Sequence, residues 1–208
     1  MAEAQNTYRN VMIDIETLAT GKDAVVLSIA AVAFDINPYT MKGDDRPKAQ
    51  ISPEALHIGL SVTEQIQMGR HVSDDTLAWW MQTLGGMDGS AMPDGEALPC
   101  ADALGKLQDY LRKASDGFEL KDTEFDVSVW CRGPQFDWAI LEDLSAQYGV
   151  KLGVKYSKVF DTRTAGLFAS TRERETMEKS KAHNALEDCF SQIRDLEHVA
   201  ATIGAITL

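Results

Sequence analysis

Asn10-Val11-Met12-Ile13-Asp14-Ile15-Glu16-Thr17 is the stretch on which the fold turns. Its alternation has a period of two, so it reads as a β-strand with Asp14 and Glu16 on one face and Ile13 and Ile15 on the other. At roughly 3.3 Å per residue, the two acid-bearing Cα atoms stand only ~6.6 Å apart. Two carboxylates this close at the end of an apolar strand repel each other and resist burial. The pair is stable only if a cation holds it, one acid is protonated, or water reaches both. Taken alone, an Asp-x-Glu is an ordinary solvated strand edge.

Outward from this strand, residues 24–35 are rich in Val, Ile and Ala and predict a second, largely buried strand. Residues 37–53 carry Pro38, Gly43, Pro47 and Pro53, which is loop chemistry, and a third strand fits 55–60. No helical pattern separates these three strands, so they are expected to form an antiparallel meander. Helical spacing then predicts helices over 61–68, 74–84 and 101–115, with a breaker-rich loop over 85–99. A short strand over 126–130, a helix over 136–148, a strand over 156–160 and a long helix over 184–203 complete the pattern. Strands first, then strands alternating with helices, predict an α/β fold with a mixed sheet in one domain spanning 1–208.

Composition sets outer bounds. The 208 residues suit one domain with a sizeable core, and 44% hydrophobic with 25% charged residues is ordinary for a globular protein. The longest apolar run, 24–34 interrupted by Ser28, is too short to cross a bilayer, and the N-terminus lacks the pattern of a secretory signal. Three widely spaced cysteines (Cys100, Cys131, Cys189) argue for a reduced, cytoplasmic setting without disulfides or a zinc site. A net charge of -12 argues against wrapping long nucleic acid with a basic surface, though not against gripping a few nucleotides through bound cations. The charge is uneven: 86–126 holds ten acids and four bases, whereas 151–181 holds eight bases and four acids and leads into His183.

Two further acidic positions join the first pair. Asp137, in Gln135-Phe136-Asp137-Trp138, falls in the first turn of a predicted helix, where an acid also favours the helix dipole. In His183-Asn184-Ala185-Leu186-Glu187-Asp188, Asn184 and Glu187 match a capping box. Asn184 is therefore the expected N-cap, with His183 just outside the helix and Asp188 on its second turn. Inside one helix a five-residue step would put His183 and Asp188 about 140° apart. With His183 in the preceding loop, the two can converge.

The order Asp-x-Glu, Phe-Asp, His-x-x-x-x-Asp resembles the DEDD exonuclease superfamily in its histidine-containing (DEDDh) branch. The sister branch has tyrosine four residues before the last Asp, where this chain has Asn184. The resemblance covers most of the chain. It looks nearest to the Rv2179c-like 3'-5' exoribonucleases, a group that also includes phage DNA exonucleases. Asp14-Ile15-Glu16-Thr17-Leu18, Thr76-Leu77-Ala78-Trp79-Trp80 and 183–188 carry that nearer likeness. It implies a ribonuclease H-like fold whose central five-stranded sheet begins with three antiparallel strands. It also implies Asp14, Glu16, Asp137 and Asp188 as metal ligands and His183 as the base that takes a proton from the attacking water. An imidazole suits that task at neutral pH. Carboxylate ligands favour Mg²⁺ or Mn²⁺ over zinc, and two such ions ~3.5–4 Å apart can clamp a phosphodiester.

The implied activity is release of nucleoside 5'-monophosphates from the 3' end of single-stranded nucleic acid, RNA slightly before DNA. The alternative is a catalytically inactive binding module on the same fold, against which the presence of all five site residues argues. Oligomeric state is open, a homodimer included. Further substrate candidates are Thr17 and Leu18, beside the first acids, and Trp79 and Trp80, which point about 100° apart on a helix and cannot both face the core. An exposed aromatic of that kind can stack on a base. Arg163 is a phosphate candidate from the basic stretch and Arg132 a weaker one. Asp161 is expected to be an N-cap, and His57, His71 and His198 to be structural.

Overall fold

The chain builds five strands, β1 (Asn10–Thr17), β2 (Val26–Asp35), β3 (Gln50–Gly59), β4 (Ser128–Cys131) and β5 (Val159–Asp161), in the sheet order β3-β2-β1-β4-β5. The structure is a computed structural model that describes residues 8–36, 47–84, 93–115, 124–170 and 183–207. The β1–β2 and β2–β3 pairs are antiparallel, and the β1–β4 and β4–β5 pairs are parallel. The mixed sheet and its antiparallel start are as the alternation and spacing predict. Six helices accompany it among the described residues: α1 (Val62–Gln67), α2 (Asp74–Leu84), α3 (Cys100–Ala114), α4 (Asp137–Gln147), α5 (Thr162–Gly166) and α6 (Ala185–Thr207).

The period-two alternation of β1 sorts its residues into two cores. Val11, Ile13 and Ile15 face one side, where Leu104, Leu107 and Leu111 of α3 and Ile140, Leu141 and Leu144 of α4 bury against them. Met12 faces the other side and packs with Ala30, Val32 and Phe34 of β2 against Ala185, Cys189, Ile193 and Leu196 of α6. The α6 residues recur every three or four positions, a stripe that lies along the sheet. Asp14 and Glu16 share the Met12 face, so α6 covers the same side of the sheet that bears the acids. In the register Asp14 stands opposite Ala30 and Glu16 opposite Ser28, small neighbours that leave room above the strand.

Two boundaries differ from expectation for physical reasons. β3 begins at Gln50, not 55, because it is an edge strand that tolerates Pro53 beside a register shift opposite Val32 and Phe34. The strand expected over 156–160 splits into a 3-10 turn, Tyr156–Lys158, and the short β5. The expected loops over 37–53 and 85–99 lie partly outside the described residues. All three cysteines are buried and free, in keeping with the absence of a disulfide framework.

Candidate active site

The sheet and α6 bring three of the predicted acids together. One carboxylate oxygen from each of Asp14, Glu16 and Asp188 lies within 4.8 Å of the others. Asp14 and Glu16 come from the end of β1, and Asp188 from the second turn of α6. Asn184 fixes that turn: its side-chain oxygen accepts from the Leu186 and Glu187 amides at 3.0 and 3.2 Å, the expected N-cap. His183, just before the cap, has φ of 41°, a left-handed conformation that costs a histidine strain and recurs at functional sites. Its imidazole meets Trp79 edge-to-face with ring centres 4.7 Å apart.

Asp137 stands outside the trio but within reach of its field. It opens α4 and is 4% exposed. Burial is the largest influence on its carboxyl and pushes the pKa up, while backbone hydrogen bonds from Ile15 and its own amide, and the charge of Arg163, pull it down. Burial is likewise the largest cause for Asp14 and Glu16. Asp14 is pushed well above the carboxylate range, with Asp137, Glu16 and Asp188 adding repulsion, and Glu16 rises to about 8, with Asp188 and then Asp137 adding to burial. Oxygen ligands at this spacing, two of which (Asp14 and Glu16) resist their own negative charge, fit a hard divalent cation. The donor set contains no thiolate or imidazole, which sets it apart from the usual zinc sites.

Beside the trio lies a hollow of about 360 Å³ lined by Glu16, Thr17, Asp75, Thr76, Trp79 and Phe136, among others. The paired tryptophans divide as their geometry requires. Trp80 is 3% exposed, and its indole N–H donates to the Thr17 carbonyl at 2.9 Å; Trp79 is 40% exposed and forms a wall. The exposed face therefore belongs to Trp79. Thr17 is buried with its hydroxyl donating to the Ala19 carbonyl. Leu18, considered above as a substrate contact, is instead a core residue: its side chain packs with Val25 and Trp80, and its N–H and C=O are bonded to Val25 and Ser73.

Arg163 lies over the turn that precedes α4, its Nη1 3.2 Å from where a Cβ on Gly133 would stand. Gly133 has φ of 109°, which side-chain-bearing residues rarely adopt, and its carbonyl accepts from the amides of Phe136 and Asp137. Gly133→Ala should cost about 1–3 kcal/mol through backbone strain and displace Arg163 from Asp137. An unchanged urea midpoint for this variant would contradict the strain. Arg132, the weaker phosphate candidate, is instead paired with Asp195 at 2.9 Å. Asp161 is the N-cap of α5, accepting from the Arg163 amide at 3.0 Å.

Sequence reasoning missed Gln192, whose side-chain amide donates to Asp14 Oδ1 at 2.7 Å. It also missed Phe136 on the wall of the hollow. The i+4 step from Asp188 was a signal for Gln192, since it places both residues on one face of the helix.

Acids gathered at the end of the central strand of a β3-β2-β1-β4-β5 mixed sheet, under a long final helix, define a fold of the ribonuclease H-like class. The fold matches a zinc-bound complex of E. coli ExoI with single-stranded DNA at a TM-score of 0.58 and 13% identity, over 93% of this chain and 40% of that one. Residues 9–200 match the 3'-5' exoribonuclease Rv2179c-like domain, and the chain belongs to that family. The exodeoxyribonuclease of enterobacteria phage T4 is 28% identical over 134 residues, which are 64% of this chain and 54% of the phage protein. The chain thus spans about half the length of that relative. Among the described residues, no helix is long and apolar enough to cross a membrane.

Proposed function

We propose that this chain is a metal-dependent exonuclease that removes nucleoside 5'-monophosphates from the 3' end of single-stranded nucleic acid, RNA before DNA. The observation that carries this reading is the meeting of Asp14, Glu16 and Asp188 within 4.8 Å beside an aromatic-walled hollow. Asp14, Glu16 and Asp188, with Asp137 completing the set, would hold two Mg²⁺ or Mn²⁺ ions, which when bound supply a lowered water pKa and neutralise charge on the reacting phosphate. His183 takes the proton from the attacking water, a role its place in the loop before α6 supports. Trp79 stacks on the terminal base, a contact of ~1–3 kcal/mol that reads no sequence. Arg163 offers its guanidinium to a phosphate. The preference for RNA rests on the family's description, and the phage relative's name favours the other sugar.

The test uses 5'-labelled single-stranded RNA and DNA of one sequence with Mg²⁺ or Mn²⁺. The expected result is a ladder shortening from the 3' end, abolished by EDTA, with the RNA degraded faster. Binding without cleavage of either strand would overturn the reading in favour of an inactive binding module.

A further inference from the structure

We infer that Gln192 is a positioning residue that sets the affinity of the acid trio for its divalent ion by holding the Asp14 carboxylate in one orientation. The inference rests on the proposed function. Gln192 sits one helical turn beyond Asp188, so one face of α6 delivers both a ligand and an orienting donor to the same site. Its Nε2 lies 2.7 Å from Asp14 Oδ1, and among the described residues no other side chain hydrogen-bonds to the trio. Turning the amide over would set two acceptors against each other, so the donor must face Asp14. A hydrogen bond to Oδ1 limits the rotation of the Asp14 carboxylate and holds it beside Glu16 and Asp188.

The residue type matters as much as the place. A lysine or arginine here would hold Asp14 as well, but it would offset one of the trio's negative charges and repel a cation. An amide donates without adding charge, so the trio keeps its full attraction for the ion. Gln192 is also 1% exposed, and its Oε1 has no protein partner. A buried unsatisfied acceptor weakens the fold, and an apolar side chain would avoid that cost. A purely structural role for Gln192 leaves that cost unexplained, and orienting a metal ligand accounts for it.

Free Mn²⁺, followed by its electron paramagnetic resonance signal during titration of the 208-residue chain, tests this directly. Gln192→Met keeps the side-chain length and removes both the donor and the orphaned acceptor. The expected result is a Kd for Mn²⁺ raised about tenfold, while the metal-free Tm is unchanged or higher. Gln192→Asn retains an amide but is one methylene too short to reach Asp14, and should weaken binding similarly. A Kd for Gln192→Met within twofold of the wild type overturns the inference, whatever happens to its Tm. If Gln192→Met does not fold, Gln192→Asn decides by the same criterion. If the wild type binds no Mn²⁺, or Asp14→Asn binds it as tightly as the wild type, the proposed ion site itself fails. That outcome is distinct from a site that binds normally without Gln192.

Discussion

Asp14→Asn should abolish exonuclease activity, by ~10³-fold or more, and at the same time make the metal-free protein more stable. Both effects come from one feature. Asp14 is half-buried beside Asp137, Glu16 and Asp188, and its carboxyl is pushed well above the usual range by loss of solvation first and by those charges second. Asparagine has nearly the same shape, and its side-chain oxygen can still accept from Gln192, so packing and the 2.7 Å contact are kept. What disappears is a charge that the fold opposes and a bound cation needs. A gain in metal-free stability is expected at pH 8, where the unfolded state carries the charge that the fold opposes. Urea denaturation in EDTA, run beside the labelled-strand assay, measures both sides. Cleavage within tenfold of the wild type would remove Asp14 from the chemistry. A large loss of metal-free stability would mean that its charge supports the fold instead.

The site was legible where its signal was local. Strand alternation put Asp14 and Glu16 on one face, and the cap at Asn184 put His183 outside α6 with Asp188 inside it, as the hydrogen bonds to Asn184 Oδ1 show. It was illegible where the deciding contact spans the chain. Gln192 touches a residue 178 positions away, and in the sequence it is one polar residue among many on a long helix. The tryptophan pair shows the border between the two. Helix geometry requires that Trp79 and Trp80 diverge, but only the Thr17 carbonyl, 2.9 Å from the Trp80 indole nitrogen, decides which one turns inward. Arg132 misled through proximity in sequence to Asp137, since its guanidinium reaches Asp195 on α6 instead. Pro53 misled because a proline reads as loop until the sheet order shows that β3 has a free edge.

Metal-free protein should lose stability as pH rises from ~4.5 to ~8, and Mn²⁺ should restore more of it the higher the pH. Glu16 titrates near 8 in the fold, raised by burial and then by Asp188 and Asp137, against an ordinary value of 4.5. Asp14 and Asp137 are displaced in the same direction. Between the unfolded and folded values, the native state holds more protons than the unfolded state, so each step upward in pH favours unfolding. For Glu16 the penalty vanishes below ~4.5, where it is protonated in both states, and is complete above ~8. A divalent ion binds the ionised carboxylates and competes with those protons, so its contribution must follow the opposite slope. At a concentration 100-fold above Kd it amounts to about 2.7 kcal/mol, or roughly 5–10 °C in Tm for a chain of this size. Surface repulsion at a net charge of -12 also grows with pH, but added NaCl screens it more strongly than it screens the half-buried trio. The pH slope in EDTA should therefore persist in 0.5 M NaCl and flatten in Asp14→Asn. A metal-free Tm that rises between pH 5 and 8, or a Mn²⁺ shift equal at both ends, would show that Asp14 and Glu16 are not held against their charge.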